Sequence, residues 1–134
     1  MKKSYILLIC LILLILSVSA VSAGLFDSKD DKLKVENIKI SDEGYDSYEV
    51  TCDLESSDEF DYLEMVVLFY DDSGALLEKS LVWNMLDVPK DQHIKVSGFA
   101  YVSSGTPAKA EVLFIDDSLK EDAEHSIYNE TIEM

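Results

Sequence analysis

Most of this chain alternates apolar and polar residues with a period of two, interrupted by turn signals about every ten residues. Because successive side chains of a strand point to opposite faces, this alternation predicts half-buried β-strands. No long stretch has the period of an amphipathic helix. The pattern therefore predicts an all-β domain, a sandwich or a barrel. The predicted strands are 33–40, 48–54, 62–70, 75–83, 92–102, 108–115 and a weaker edge strand, 126–132.

One predicted strand, 62–70, is apolar on both faces. Its first face carries Leu63, Met65, Val67 and Phe69, and its second face carries Tyr62, Glu64, Val66, Leu68 and Tyr70. Glu64 is thus the single charged residue on this second face. A strand of this kind is central in its sheet or lies under a second cover, because either arrangement removes both faces from water.

The alternation changes phase within two other predicted strands. The phase slips at Asn37, which predicts a bulge or a strand that changes sheet. A second change, at Gly98, predicts a bulge or a bend. In strand 75–83, Leu77, Leu81 and Trp83 are in phase, so we expect Trp83 to pack in the core.

The N-terminus has the layout of a secretory signal. Lys2 and Lys3 precede an apolar run, 5–16, which is followed by small residues ending at Ala23. A positive start, an apolar middle and a small-residue cleavage site are the three parts of a signal peptide. We therefore predict a signal peptide over residues 1–23.

Two alternatives for this segment stay open. Ala20 offers a second cleavage site, and 5–26 contains 22 uncharged residues, enough for an uncleaved membrane anchor. The N-terminal lysines stay inside in either case, so we expect the domain to be secreted or at the cell surface. Contact with a membrane is expected only through this segment, if it is uncleaved. Downstream, 24–32 is predicted to be a flexible leader and 33–134 a β-sandwich domain.

The charge of the chain limits its partners. Its formal net charge is −16 at neutral pH. Such a surface repels the phosphates of nucleic acids and anionic lipids, so neither is an expected partner. Solvation of the surface is the simplest reason for the acidity, and calcium or a basic partner is the alternative.

The cysteine content predicts no disulfide within the mature chain. If 1–23 is removed, Cys52 is the single cysteine left, and one thiol cannot close an intramolecular disulfide. Cys52 alternates in phase with apolar neighbours, so we expect a buried, inert side chain. An intermolecular bridge is the alternative.

The predicted hairpin after strand 62–70 resembles a known family. Segment 67–74 reads VLFYDDSG, which is similar to the F-x-L-Y-D…G hairpin of the FxLYD-type domains. Tyr70 and Asp71 match this motif, whereas Val67 stands at its Phe position and Phe69 at its Leu position. The family consists of small β-sandwich modules of exported bacterial and archaeal proteins, and the resemblance implies no catalytic residues.

The resemblance extends over about 33–116. Segment 86–91, LDVPKD, is similar to the L-x-P-G turn of the family, with Lys90 in place of its Gly. Seven strands in about 100 residues also suit an immunoglobulin-like or fibronectin-like antiparallel sandwich, which is the fold we expect.

The chain offers few candidates for chemistry. His93 and His125 lie far apart, and neither belongs to a zinc-ligand pattern. Phosphate-loop, nucleophile-elbow and metalloprotease motifs are absent from the sequence. We therefore predict no catalytic, cofactor-binding or metal-binding residues and no cofactor. Acidic loops such as 53–61 remain candidates for calcium, although they lack the ligand ladder of an EF-hand.

Three residues are candidates for surface roles. Asn129 begins an N-glycosylation sequon, N-E-T, and is a candidate glycan acceptor. Tyr62 and Tyr70, on the second face of their strand, are candidates for a partner-contact face. We therefore expect a non-enzymatic extracellular or cell-surface module that acts through contacts with an unknown protein partner. The alternative is an exported domain that binds calcium, a glycan or another small ligand.

Overall fold

The computed structural model describes residues 32–134, which form seven β-strands and no helix. The strands are β1 (Leu33–Gly44), β2 (Ser47–Ser56), β3 (Phe60–Tyr70), β4 (Leu76–Val88), β5 (Gln92–Tyr101), β6 (Lys109–Ile115) and β7 (Tyr128–Glu133). The predicted all-β class is confirmed, and β1 and β4 continue beyond their predicted ends. The predicted signal peptide, 1–23, lies outside the described residues, and so do residues 24–31 of the predicted leader. Within the described part, no helix is long and apolar enough to cross a membrane.

The strands form two antiparallel sheets that pack as a β-sandwich. One sheet has the order β1-β2-β5 and the other β4-β3-β6-β7. As predicted, β3 is central and β7 is an edge strand. The core between the sheets is built from alternate residues of the facing strands, chiefly Val50, Cys52, Leu54, Leu63, Met65, Val67, Phe69, Val112 and Phe114.

The four-stranded sheet is also buried on the side that faces away from this core, which we call its outer face. Val66, Leu113 and Ile115 form a second cluster there, and each is fully buried. Leu68 packs against them. The apolar second face of β3 is therefore covered as well as central.

Two bulges in β4 change which of its residues reach the core. The pairing of β4 with β3 shifts between Met65 and Val66, and again between Phe69 and Tyr70. Each shift leaves an extra residue, Val82 or Leu77, which packs against the core.

The bulges decide the outcome of the phase prediction for β4. Trp83 is partly buried and packs against the core, as expected. The expectation that Leu81 shares its phase is wrong, because Leu81 pairs with Val66 on the outer face and is 52% exposed.

The prediction for Asn37 is confirmed, whereas the one for Gly98 is wrong. The register of β1 with β2 shifts between Glu36 and Lys39, and Asn37 has a φ of 54°. The pairing of β5 with β2 is regular through Gly98, so there is no bulge. A Cβ at Gly98 would lie 2.1 Å from the carbonyl oxygen of Val82, so this glycine permits the close approach of β4 and β5.

Cys52 is buried in the main core, as expected. Burial, with a smaller effect of the neighbouring Asp53, raises the pKa of its thiol to about 12. Since the thiolate is the reactive form, this side chain is inert at neutral pH in the folded domain.

We predict that Gly98→Ala destabilises the domain far more than Gly44→Ala. The first change forces a methyl group against the backbone of Val82, and overpacking costs about 1–3 kcal/mol or more. Gly44 has a φ of 81° with open space around it, so alanine there meets only backbone strain, about 1 kcal/mol. Urea unfolding of both variants measures the difference, and equal losses would show that the two strands do not approach this closely.

Candidate functional site

The two tyrosines predicted to form a contact face lie at opposite ends of the outer face of β3. The hydroxyl of Tyr62 donates a hydrogen bond to Oε2 of Glu64, at 2.6 Å. The ring of Tyr70 lies under the ammonium group of Lys109, whose Nζ is 5.3 Å from the ring centroid. Burial raises the pKa of both tyrosines. Since Val66 is buried between them, the two rings do not form one continuous exposed stripe.

Glu64 is the polar exception in the buried outer face. It is 1% exposed, and its Oε1 is the buried side-chain atom without a hydrogen-bond partner among the described residues. Register places Asn84 of β4 on one side of it and Ile115 of β6 on the other. A buried carboxylate is strongly disfavoured unless it is paired or protonated.

Several groups act on the carboxyl group of Glu64. Burial is the largest effect and raises its pKa, and the carboxylate of Glu121 raises it further. The hydrogen bond from Tyr62 and the positive charge of Lys79 act in the opposite direction. As carboxylates, Glu64 and Glu121 only accept hydrogen bonds, which explains the orphaned Oε1. A proton on Oε1 would let Glu64 donate a hydrogen bond to Glu121. It would remove the buried negative charge and give Oε1 a hydrogen-bond partner.

Glu121 belongs to residues 116–127, the connection between β6 and β7, which we call the cover segment. It lies far from Glu64 in sequence, and β4 helps to hold it in place. Nζ of Lys79 lies 3.0 Å from Oε2 of Glu121 and donates to its main-chain oxygen at 3.1 Å. The cover segment is therefore bound to the outer face of the sheet at this point.

Acidic residues also shape the turns of the cover segment. The carboxylate of Asp117 accepts from the backbone N–H of Leu119. That of Asp122 accepts from the backbone N–H of His125 and lies 2.7 Å from its Nδ1. These bonds to His125, the backbone bond first, lower the pKa of Asp122. The segment contains turns and bends but no helix.

An exposed row of leucines runs along β4 beside the cover segment. Leu76, Leu81 and Leu86 lie opposite Tyr70, Val66 and Tyr62, so all of them belong to the outer face. Their exposures are 54%, 52% and 69%. We call these three residues the leucine row. Because the two bulges bring them onto one face, simple alternation could not have found them.

The other sheet exposes a smaller apolar pair. Phe99 and Tyr101 of β5 point outward, opposite Glu49 and Ser47 of β2. Both side chains follow the regular alternation of β5, whose inward positions are Val96 and Ala100.

Some acidic side chains that are potential calcium ligands accept hydrogen bonds from other groups of the protein. Asp71 accepts hydrogen bonds from the backbone and hydroxyl of Ser73 and from the backbone of Ala75, which lowers its pKa. Asp53 accepts from the side chain of Asn37, at 2.9 Å. Among residues 32–134, no three His, Cys, Asp or Glu side chains are grouped to hold a metal ion.

The open side of the sandwich, between edge strands β1 and β7, contains a cleft. Its volume is about 360 Å³. Binding of a small ligand, the alternative function, would have room here. The lining residues are Ile40, Asp42, Tyr48, Thr106, Pro107, Ile132, Glu133 and Met134.

The candidate glycosylation site is on an edge strand. Asn129 and Thr131, the two recognition residues of the sequon, are exposed on β7. Asn129 pairs with Leu113, so it points to the outer face of the four-stranded sheet.

The protein-family models and the curated proteins that were compared with this chain gave no match.

We predict that Glu64→Gln becomes more stabilising as pH rises. The raised pKa of Glu64 means that its stabilising proton is fully present below the ordinary glutamic acid pKa and is lost as pH rises through the folded-state pKa. The amide keeps a neutral donor and acceptor at every pH. Urea unfolding at a series of pH values should show the variant gaining on the wild type by at most about 1.4 kcal/mol per pH unit.

Exposed Glu43 supplies the matched control. Glu43→Gln removes the same charge from the surface, so its stability should follow the wild-type profile. A constant difference between Glu64→Gln and the wild type across the series would contradict the prediction.

Proposed function

We propose that this chain is a non-enzymatic exported β-sandwich module that acts through protein contacts at or near the cell surface. The observation that carries this proposal is the leucine row, Leu76, Leu81 and Leu86, exposed on a sheet whose neighbouring positions are apolar. Exposed apolar groups that share one face with polar side chains are common in protein-interaction surfaces, and here Lys79 and Asn84 alternate with the three leucines along the outer face. The signal-like order of residues 1–23 supports export.

The strand order supports a specific sandwich type. In a constant-type immunoglobulin domain, the fourth strand joins the sheet of the first two strands. Here β4 pairs with β3 in the other sheet, which favours the fibronectin-like alternative.

The FxLYD resemblance that we propose rests on the sequence of the hairpin between β3 and β4. The backbone N–H of Gly74, which has a φ of 84°, donates to the carbonyl oxygen of Asp71. The Asp and Gly of the motif therefore make the turn, a role that needs these residue types whatever the module binds.

Charge indicates the chemistry of the partner. The chain carries a net charge of −16, so a partner that covers the leucine row must approach a negative surface. A protein patch with apolar side chains and a basic rim fits both properties. Attraction of this kind speeds association and weakens as salt increases.

We predict that Leu81→Ser and Leu86→Ser each weaken capture of a defined surface protein at least about 10-fold, because each change removes an apolar side chain whose burial by the partner contributes about 1.5–3 kcal/mol. The measurement is binding to cell-surface extract at native salt and calcium, with quantitative mass spectrometry of the captured proteins. Phe99→Ser is the matched control, since Phe99 is similarly exposed on the other sheet.

Capture supports the proposal only if it depends on the leucines and not on Phe99. Recovery of no defined partner, or undiminished capture by both leucine variants, would contradict it.

A further inference from the structure

We propose that a hydrogen bond from protonated Glu64 to Glu121 holds the cover segment, residues 116–127, against β3. The cover segment moves away from β3 when Glu64 loses this proton. This inference does not rest on the proposed function, because the opening is a property of the isolated domain.

The path of the cover segment takes it across β3. It leaves β6 after Ile115, and its ends are tied by a hydrogen bond from the N–H of Ile127 to the oxygen of Phe114. Between these ends, Glu121 reaches Lys79 on β4. Since β3 lies between β6 and β4, and neighbouring strands are about 4.8 Å apart, the segment spans about 10 Å of the outer face.

The side chains on this part of the sheet require a cover. Val66, Leu113 and Ile115 point away from the main core, yet each is fully buried. Strands β3 and β6 cannot bury their own outer face, so the burial must come from chain that lies over it. The Lys79–Glu121 contact places the cover segment over this face, so we assign the burial to the cover segment.

The protonation of Glu64 decides the charge balance of the groups around it. Its own strand contributes the hydroxyl of Tyr62, β4 contributes Asn84 and Lys79, and the cover segment contributes Glu121. The neighbour on β6, Ile115, is apolar. With Glu64 protonated, this group contains one negative carboxylate and one positive ammonium.

Loss of the proton leaves two carboxylates facing each other beside a single lysine. Like charges at close range repel, and a charge on Glu64, which is 1% exposed, is costly unless it is paired. Glu64 lies on the central strand β3, which is hydrogen-bonded on both sides. The cover segment has no strand partner. Displacement of Glu121 with the cover segment is therefore the easier relief, and water then reaches Glu64.

Opening would uncover apolar surface. Val66 lies directly opposite Leu81 of the leucine row, and Leu113 lies beside Val66 on β6. The exposed apolar area therefore widens from β4 to β6 as pH rises through the pKa of Glu64. At lower pH the cover segment is closed, and Val66 and Leu113 stay covered beside the exposed leucine row.

Solvent exposure of the covered methyl groups tests the inference directly. The experiment is methyl NMR of the whole protein with a neutral, soluble paramagnetic agent, from about pH 5 to about pH 9. In the wild type, relaxation of the Val66, Leu113 and Ile115 methyls should increase several-fold with pH. Methyls of Val50 and Val112, in the main core, should not change and so exclude global unfolding.

Two variants and a control identify the responsible proton. Glu64→Gln should stay closed at every pH, because the amide donates to Glu121 without titrating. Glu121→Gln should also stay closed, since it removes the opposing charge and provides a second test if the first variant does not fold. Glu43→Gln should open as the wild type does.

The inference is overturned if the three methyl groups are equally shielded at both ends of the pH range in the wild type. It is also overturned if the foldable variants at positions 64 and 121 open with the same pH dependence as the wild type.

Discussion

Strand β3 carries apolar side chains on both faces, so both faces must be kept out of water. Burying one large aliphatic side chain contributes about 1.5–3 kcal/mol, and β3 presents such side chains in both directions. The three-stranded sheet covers the inner face through residues such as Val50 and Leu54. In residues 32–134 no second sheet covers the outer face, and the acidic connection 116–127 is tied to that face by the contact between Lys79 and Glu121. We infer that this connection forms a third, thin layer of the sandwich.

This third layer explains the chemistry around Glu64. A single carboxyl group placed among Val66, Leu113 and Ile115 cannot ionise without cost, and the fold supplies a second carboxylate, Glu121, to face it. One proton satisfies the pair, and Lys79 balances the remaining charge. Elsewhere the acids have a simpler role, because many lie on the solvent side or accept hydrogen bonds from their own turns, as Asp71 does. Within residues 32–134, the negative charge is therefore carried mainly at the surface, and Glu64 is the charged residue that is buried.

Much of the fold could be predicted from the sequence, since period-two alternation is a local property. It located seven strands, the central position of β3 and the bulge at Asn37. It failed where the outcome depends on a neighbouring strand. The bulges at Leu77 and Val82 are defined by their pairing with β3, and Gly98 is explained by the backbone of Val82, which is remote in sequence.

The candidate site was visible only in part. Glu64 stood out as a lone acid on an apolar face, and Tyr62 and Tyr70 were placed on that face. The contact between Lys79 and Glu121 joins residues 42 positions apart, and no spacing rule reveals it. The leucine row was hidden for a related reason, because its members share a face only after two bulges. Export and the family resemblance depend on short sequence motifs, and both stay predictions.

The most direct test of the buried second face is the titration of the Glu64 side-chain carbon by ¹³C NMR in the wild-type domain. A carboxyl group held in a dry site should titrate clearly above the ordinary glutamic acid value of about 4.3. A midpoint at or below that value would show that the outer face of β3 is wet and that the third layer does not exist in solution.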